Sequence, residues 1–270
     1  HPSRRPQQRV HHPLLVLEET PVCGPIHTRN LLRVGEGVEG VGEPERIVDL
    51  EDHPVGHEVE ARERRRPQPA RERLVAVGDG RLSVRGRGIE IDLLLRAAGE
   101  PVEVVSPHGE SYIWTRKDPI RATGAVVVGG RRWDIDAAGL IDASAGYHAR
   151  ETVWRWSAGV GTDVGGRAIA WNLVTGVHDA ASASERTVWV DGVAHEVGPV
   201  GFPGDLDGID FAEQGAALRF TAEAERAQSD DLKLFRSDYR QPFGTFAGTL
   251  PGDVELASGY GVMEWHDVRW

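Results

Sequence analysis

Residues 151–179, ETVWRWSAGVGTDVGGRAIAWNLVTGVHD, constrain the fold more than any other stretch. Residues 152–157 are β-branched and aromatic, and Trp154 and Trp156, two apart, share one face of a strand. Residues 159–166 are Gly-rich with an Asp, the chemistry of a loop. Residues 168–174 are strand-like again, with Ala168, Ala170, Asn172 and Val174 on one face and Ile169, Trp171 and Leu173 on the other. The expected unit is an antiparallel hairpin carrying three tryptophans.

The same pattern repeats along the chain. Residues 74–77 and 81–84 flank Gly78-Asp79-Gly80, and residues 89–95 form a further strand. Residues 125–128 and 131–135 flank Gly129-Gly130, and residues 187–190 and 193–197 flank Asp191-Gly192. Both dipeptides suit two-residue turns that demand positive φ. Gln214-Gly215 separates residues 211–213 from 216–225, and Pro251-Gly252-Asp253 separates residues 243–250 from 254–265. The best helical candidate, residues 223–232, has no clear apolar stripe. So many strands with turn signals at short spacing predict an all-β chain, an antiparallel barrel of sequential hairpins.

Composition divides the chain. There is no aromatic residue before Tyr112 and no lysine before Lys117. Residues 1–73 therefore lack the large side chains that dominate cores, and they carry runs such as RERRRPQP at 62–69. They are expected to form a poorly ordered leader, either a genuine extension or sequence outside the native reading frame. The start at His1 is expected to be a fragment boundary or a processed end. Gly35, Gly37 and Gly40 spell a dinucleotide fingerprint, but Pro44 and three nearby glutamates argue against a phosphate-binding helix there. His53 and His57 are four apart like helical metal ligands, yet Pro54 and Gly56 disfavour that helix.

The net charge of -11 argues against nucleic acid and anionic membrane surfaces as partners. One cysteine, Cys23, excludes an intramolecular disulfide framework and suits a reducing, cytoplasmic compartment. No apolar run approaches the roughly 18 residues of a transmembrane segment.

Trp154 to Gly159 (WRWSAG), Asn172-Leu173, Trp189 to Gly192 (WVDG), Arg236 to Gly248 (RSDYRQPFGTFAG) and the closing GVMEWHDVRW resemble the bacterial family catalogued as domain of unknown function 2804. SYIWTRK at 111–117 also fits that family's pattern between its two halves. The likeness covers roughly residues 74–270. The family is similar to the lipocalin-like group that includes carotenoid hydratases and tocopherol cyclases, whose members have two lipocalin-like β-barrel halves. The resemblance implies that residues 74–122 are the end of a first half and residues 123–270 a nearly complete second half.

On the last strand Tyr260, Val262, Glu264, His266, Val268 and Trp270 share one face, with Met263, Trp265, Asp267 and Arg269 on the other. Glu264 and His266 match the family's closing motif. They are the candidate catalytic pair, able to hold a proton as general acid chemistry requires. The bland alternative is a salt-bridged pair fixing the strand. Trp154, Trp156, Asn172, Trp189 and Tyr260 are the candidate ligand-binding residues, with core packing as the alternative for the tryptophans. An inward Asn172 needs a partner or a ligand. Arg236, Asp238, Tyr239 and Arg240 are expected to close the barrel rim. No metal pattern, nucleophile elbow or P-loop is present, so no metal or cofactor is expected. Three function classes follow: a carrier of an apolar small molecule, a cofactor-independent hydratase, isomerase or cyclase, and a structural domain with a filled interior.

Overall fold

The computed structural model describes residues 15–19, 30–32, 48–50, 74–78, 80–86, 88–108, 111–146, 149–232 and 235–269. Within them the chain forms strands and turns, and no helix. In chain order the strands are β1 (Leu15–Glu19), β2 (Asn30–Leu32), β3 (Val48–Leu50), β4 (Leu74–Gly78), β5 (Arg81–Gly86) and β6 (Ile89–Ala97). Next come β7 (Val102–His108), β8 (Ser111–Val128), β9 (Arg131–Gly146), β10 (Glu151–Asp163), β11 (Ala168–Thr175) and β12 (Thr187–Val190). The last are β13 (Val193–Glu196), β14 (Val200–Gly201), β15 (Gly208–Phe211), β16 (Ala217–Leu232), β17 (Phe235–Leu250) and β18 (Val254–Arg269).

Two large sheets result. The first has the order β1-β9-β8-β6-β5-β4, with β7 also on β8. The second has the order β13-β12-β11-β10-β18-β17-β16-β15-β14. Every pairing is antiparallel except β1 on β9, which is parallel. β2 and β3 pair with each other. The change of sheet lies between Gly146 and Glu151. Of the leader, β1, β2 and β3 are described; the rest of residues 1–73, with Gly35, Gly37, Gly40, His53 and His57, lies outside the described residues, as does Trp270. Among the described residues no helix is long and apolar enough to cross a membrane.

The second sheet curls so that β14 returns against β11. Ile169, Trp171 and Leu173 of β11 point into the curl and pack with Val188, Ile209, Leu218, Phe220, Phe246 and Met263. Their neighbours Ala170 and Val174 point out and join Trp156, Ala158, Val160, Trp189, Phe243 and Val262. Leu140 of the first sheet completes that second cluster, with Val102 and Ala138 packed against it. The outer face of the tryptophan hairpin is therefore the floor on which the first sheet rests. The first sheet keeps a separate cluster on its other side, built on Leu82, Val84, Ile91, Leu93, Val126 and Ile135.

Two expectations change. The Gly-rich stretch after Trp156 is not a loop until residue 164: β10 continues to Asp163, in register with β11 and β18. Gly159 is needed there because a Cβ would lie 2.1 Å from the indole of Trp171, across the strand pair. Its use is close approach, not turning. Residues 223–232 are strand, because β17 offers partners from Ala217↔Thr249 to Leu232↔Phe235, with one bulge at Glu223. Such a ladder outweighs a weak local helical preference. The Asp191-Gly192 turn forms as expected, with φ of 49° and 81°. A bulge at Thr162/Asp163 shifts the pairing with β18 by one residue. Leu256 therefore faces the inner cluster although Tyr260 and Val262 face the other.

Replacing Gly159 by Ala forces a methyl group into the fully buried Trp171 ring, so the variant loses about 1–3 kcal/mol or more. Gly201→Ala, at a glycine with open space around its Cβ position, stays within about 0.5 kcal/mol of wild type. Urea unfolding of both variants checks this; equal losses would contradict the packing of Trp171 on Gly159.

Candidate functional site

Strand register gathers the sequence candidates on one face. Trp154 lies opposite His266 and Trp156 opposite Glu264, while Val160 lies opposite Tyr260. Ala158 lies opposite Asn172, and Ala170 opposite Trp189. Glu264, His266, Trp154, Trp156 and Asn172 form one continuous group. Tyr260 sits further along β18, and Trp189 is fully buried with its indole N–H donated to the Glu100 carbonyl of the first sheet, 2.8 Å away.

Glu264 is 5% exposed. Its Oε1 accepts the Trp154 indole N–H at 2.7 Å and its Oε2 accepts the Gln241 amide at 2.7 Å. His266 is hydrogen-bonded through Nε2 to Ser237 Oγ at 2.9 Å, and its ring lies 4.4 Å from the Trp154 ring and 5.2 Å from that of Tyr239. Asn172 finds partners within the protein: its Oδ1 accepts the Trp156 indole N–H at 2.8 Å, and its Nδ2 donates to the Glu185 carbonyl at 3.0 Å. At the rim, Arg236 pairs with Asp238, and Arg240 with Asp205 and Glu225.

A second group meets this face from the first sheet. Lys117 of β8 is 4% exposed, and its ammonium bonds Thr115 Oγ1 at 2.6 Å, Glu185 Oε2 at 2.9 Å and Asp142 Oδ1. Thr115 Oγ1 donates to Glu185 Oε2 at 2.8 Å. Glu185 comes from the β11–β12 connection of the second sheet, so this ion cluster ties the sheets together. Burial works against the Lys117 charge, but Asp142 and Glu185 outweigh it and its pKa lies above the usual lysine value. Burial pushes the Asp142 carboxyl up, against the pull of Lys117. Among the described residues no group of three or more His, Cys, Asp or Glu side chains is placed to hold a metal ion.

A profile of the family described as Domain of unknown function (DUF2804) matches residues 55–270. The chain belongs to that family. Two solved structures are similar to the chain at low identity. One is an AttH-like protein of Nitrosomonas europaea, with TM-score 0.42 and 14% identity over 72% of this chain and 67% of that one. The other is the kievitone hydratase of Nectria haematococca, with TM-score 0.39 and 11% identity over 71% of this chain and 65% of that one. No match was found among curated proteins.

Sequence reasoning found one side of the site and missed the other. Tyr239, Gln241 and Ser237 alternate along β17 beside Glu264 and His266, a pattern visible once β17 and β18 are taken as a hairpin. Lys117 closes the SYIWTRK motif, and Asp142 interrupts the small apolar run AAGLIDASAG, which is the signal a buried acid leaves. Glu185 sits in a Ser-rich turn and leaves none.

Burial raises the Glu264 carboxyl from 4.5 to about 7, with the Trp154 and Gln241 hydrogen bonds pulling it back and the Asp142 charge pushing it further up. The folded protein thus holds this proton more tightly than the unfolded chain does. The associated stability is full below about pH 4.5 and is lost as pH rises through about 7. Wild-type stability relative to Glu264→Gln should fall by about 3 kcal/mol across that window. Urea unfolding of both proteins at the two ends of the window measures it. A difference that does not vary with pH would contradict a raised Glu264.

Proposed function

We propose that the protein binds an apolar small molecule against the half-buried aromatic margin of this face, Trp154, His266 and Tyr260, and that Glu264 transfers a proton to or from it. The reaction class is that of a cofactor-independent hydratase, isomerase or cyclase. One observation carries the reading: a carboxyl group buried beside indole rings, with no cation among its hydrogen-bond partners, a setting in which burial raises the pKa toward neutrality. A general acid works best when its pKa lies near the working pH, which an ordinary glutamate cannot offer. Proton transfer from Glu264 to a carbon–carbon double bond forms a C–H bond and leaves a carbocation. The electron-rich face of Trp154 stabilises such a charge. Addition of water, with its extra proton returned to the Glu264 carboxylate, then gives the alcohol, and loss of a proton from a neighbouring carbon to the same carboxylate gives the isomer.

The half-buried flank fits this reading. Trp154, Tyr260 and His266 are each partly exposed, while Glu264 behind them is not. A ligand reaching the acid from that side displaces water from aromatic surface and meets Glu264 in a dry setting, where its proton is held for transfer.

The test uses protein purified from its own host. Native mass spectrometry identifies a co-purified small molecule, which is then incubated with the protein in D2O. Wild type should incorporate deuterium into that molecule, and Glu264→Gln should retain the molecule with at least a hundredfold slower incorporation, on the order of a lost general acid. Retention without incorporation in either protein would leave a carrier, and retention of nothing would leave a structural domain.

A further inference from the structure

We propose that the ion cluster on the first sheet belongs to the functional site: Asp142 and Glu185, sharing one lysine, hold the proton on Glu264 from across the sheet contact. The inference rests on Glu264 being the acid of the proposed reaction, and it assigns Asp142, Glu185 and Lys117 as positioning residues.

The charge balance requires it. Three carboxyl groups lie in this contact: Glu264 and Glu185, 5% and 4% exposed, and Asp142, with 14% of its side chain exposed. One buried cation, Lys117, serves them, and it bonds Asp142 and Glu185. With all three carboxyls ionised, the contact would hold three negative charges against the one lysine that bonds them. Such a site keeps a proton instead. The carboxyl with the least to lose is Glu264, whose hydrogen bonds come from the neutral Trp154, Gln241 and Tyr239.

The two groups are joined by continuous contacts. Trp156, paired with Glu264 across β10 and β18, donates to Asn172, and Asn172 donates to the Glu185 carbonyl. That bond fixes the segment whose carboxylate reaches Lys117. Leu140, two residues from Asp142 on the same face of β9, packs in one cluster with Trp156, the cross-strand partner of Glu264, which brings the Asp142 charge to the Glu264 side of the sheet contact. The other titratable groups around the site are Tyr239 of β17, with Arg226 of β16 over its ring, His266 of β18, and His178 of the β11–β12 connection, which acts on Asp142. Lys117 is the cation that bonds directly to the carboxyls concerned.

The arrangement gives the first sheet a role in the chemistry. Without the Asp142 charge, Glu264 would lose part of the negative potential that opposes its ionisation. The acid would then discharge at a lower pH, outside the range in which it can protonate a weakly basic double bond.

Infrared titration of the full chain tests this without reference to activity. The protonated-carboxyl band that disappears in Glu264→Gln reports Glu264. In Asp142→Asn, Lys117 is left to balance Glu185 alone, and the Glu264 midpoint should fall by about one pH unit, a tenfold loss of proton affinity. An unchanged midpoint in the folded variant would overturn the proposal. If Asp142→Asn does not fold, the same coupling is read from the other end, because it is reciprocal. In Glu264→Gln the Asp142 carboxyl, followed by carbon-13 chemical shift, should titrate at a lower pH than in wild type; an unchanged Asp142 midpoint would overturn the proposal equally. Because the readout is protonation, the coupling can fail while deuterium transfer survives, or hold while deuterium transfer is absent.

Discussion

The structure depends on one contact: the outer face of the tryptophan hairpin buried beneath the first sheet. Trp156, Ala158, Val160, Ala170, Val174, Trp189 and Val262 form that face, and Leu140 meets it from β9. Burying it removes water from both sheets at once, at roughly 25 cal/mol for each Å² of apolar surface. It also imposes a rule on every polar group caught in the contact, because an unpaired one costs more than a paired one contributes. The indole N–H groups of Trp154, Trp156 and Trp189 each have an acceptor, and so has Lys117 with three oxygens. The candidate site is what remains when those demands are met, a set of ionisable groups held dry between two sheets.

That origin explains the ambivalence of Glu264. A structural role and a chemical one make the same first demand, that the carboxyl be buried and hydrogen-bonded. They differ in the proton. A purely structural acid is best placed against a cation, as Asp163 is against Arg167, where the backbone and side chain of Arg167 hold the carboxyl below its usual range against burial. Glu264 has indole and amide donors instead, and the nearby cluster adds negative charge. Proteins keep such an arrangement where a group must give up its proton near neutral pH.

Much of the fold was legible in the sequence because period-two alternation and turn dipeptides are local. Asp191-Gly192, Gly129-Gly130 and Pro251-Gly252-Asp253 marked real hairpins, and the faces of β11 and β18 followed from counting by two. What failed needed a partner strand. Gly159 reads as loop chemistry from its neighbours alone, since its value as a gap for Trp171 exists only once β11 lies beside β10. The site divided in the same way. The family motif drew attention to Glu264 and His266, and register placed both beside Trp154 and Trp156. Asp142 lies 25 residues from its partner Lys117 and Glu185 lies 70 from its partner Thr115, and no pattern within one strand announces them.

If the hairpin face is the shared core of both sheets, the sheets cannot unfold independently. Urea unfolding followed by both calorimetric stability and hydrogen exchange measures this most directly, on wild type, Trp156→Ala and Arg155→Ala. Trp156→Ala should cost about 3–5 kcal/mol and lower protection in the first sheet as well as the second, while Arg155→Ala, on the opposite face, costs far less. Loss of protection confined to the second sheet, or equal effects of the two substitutions, would contradict the account.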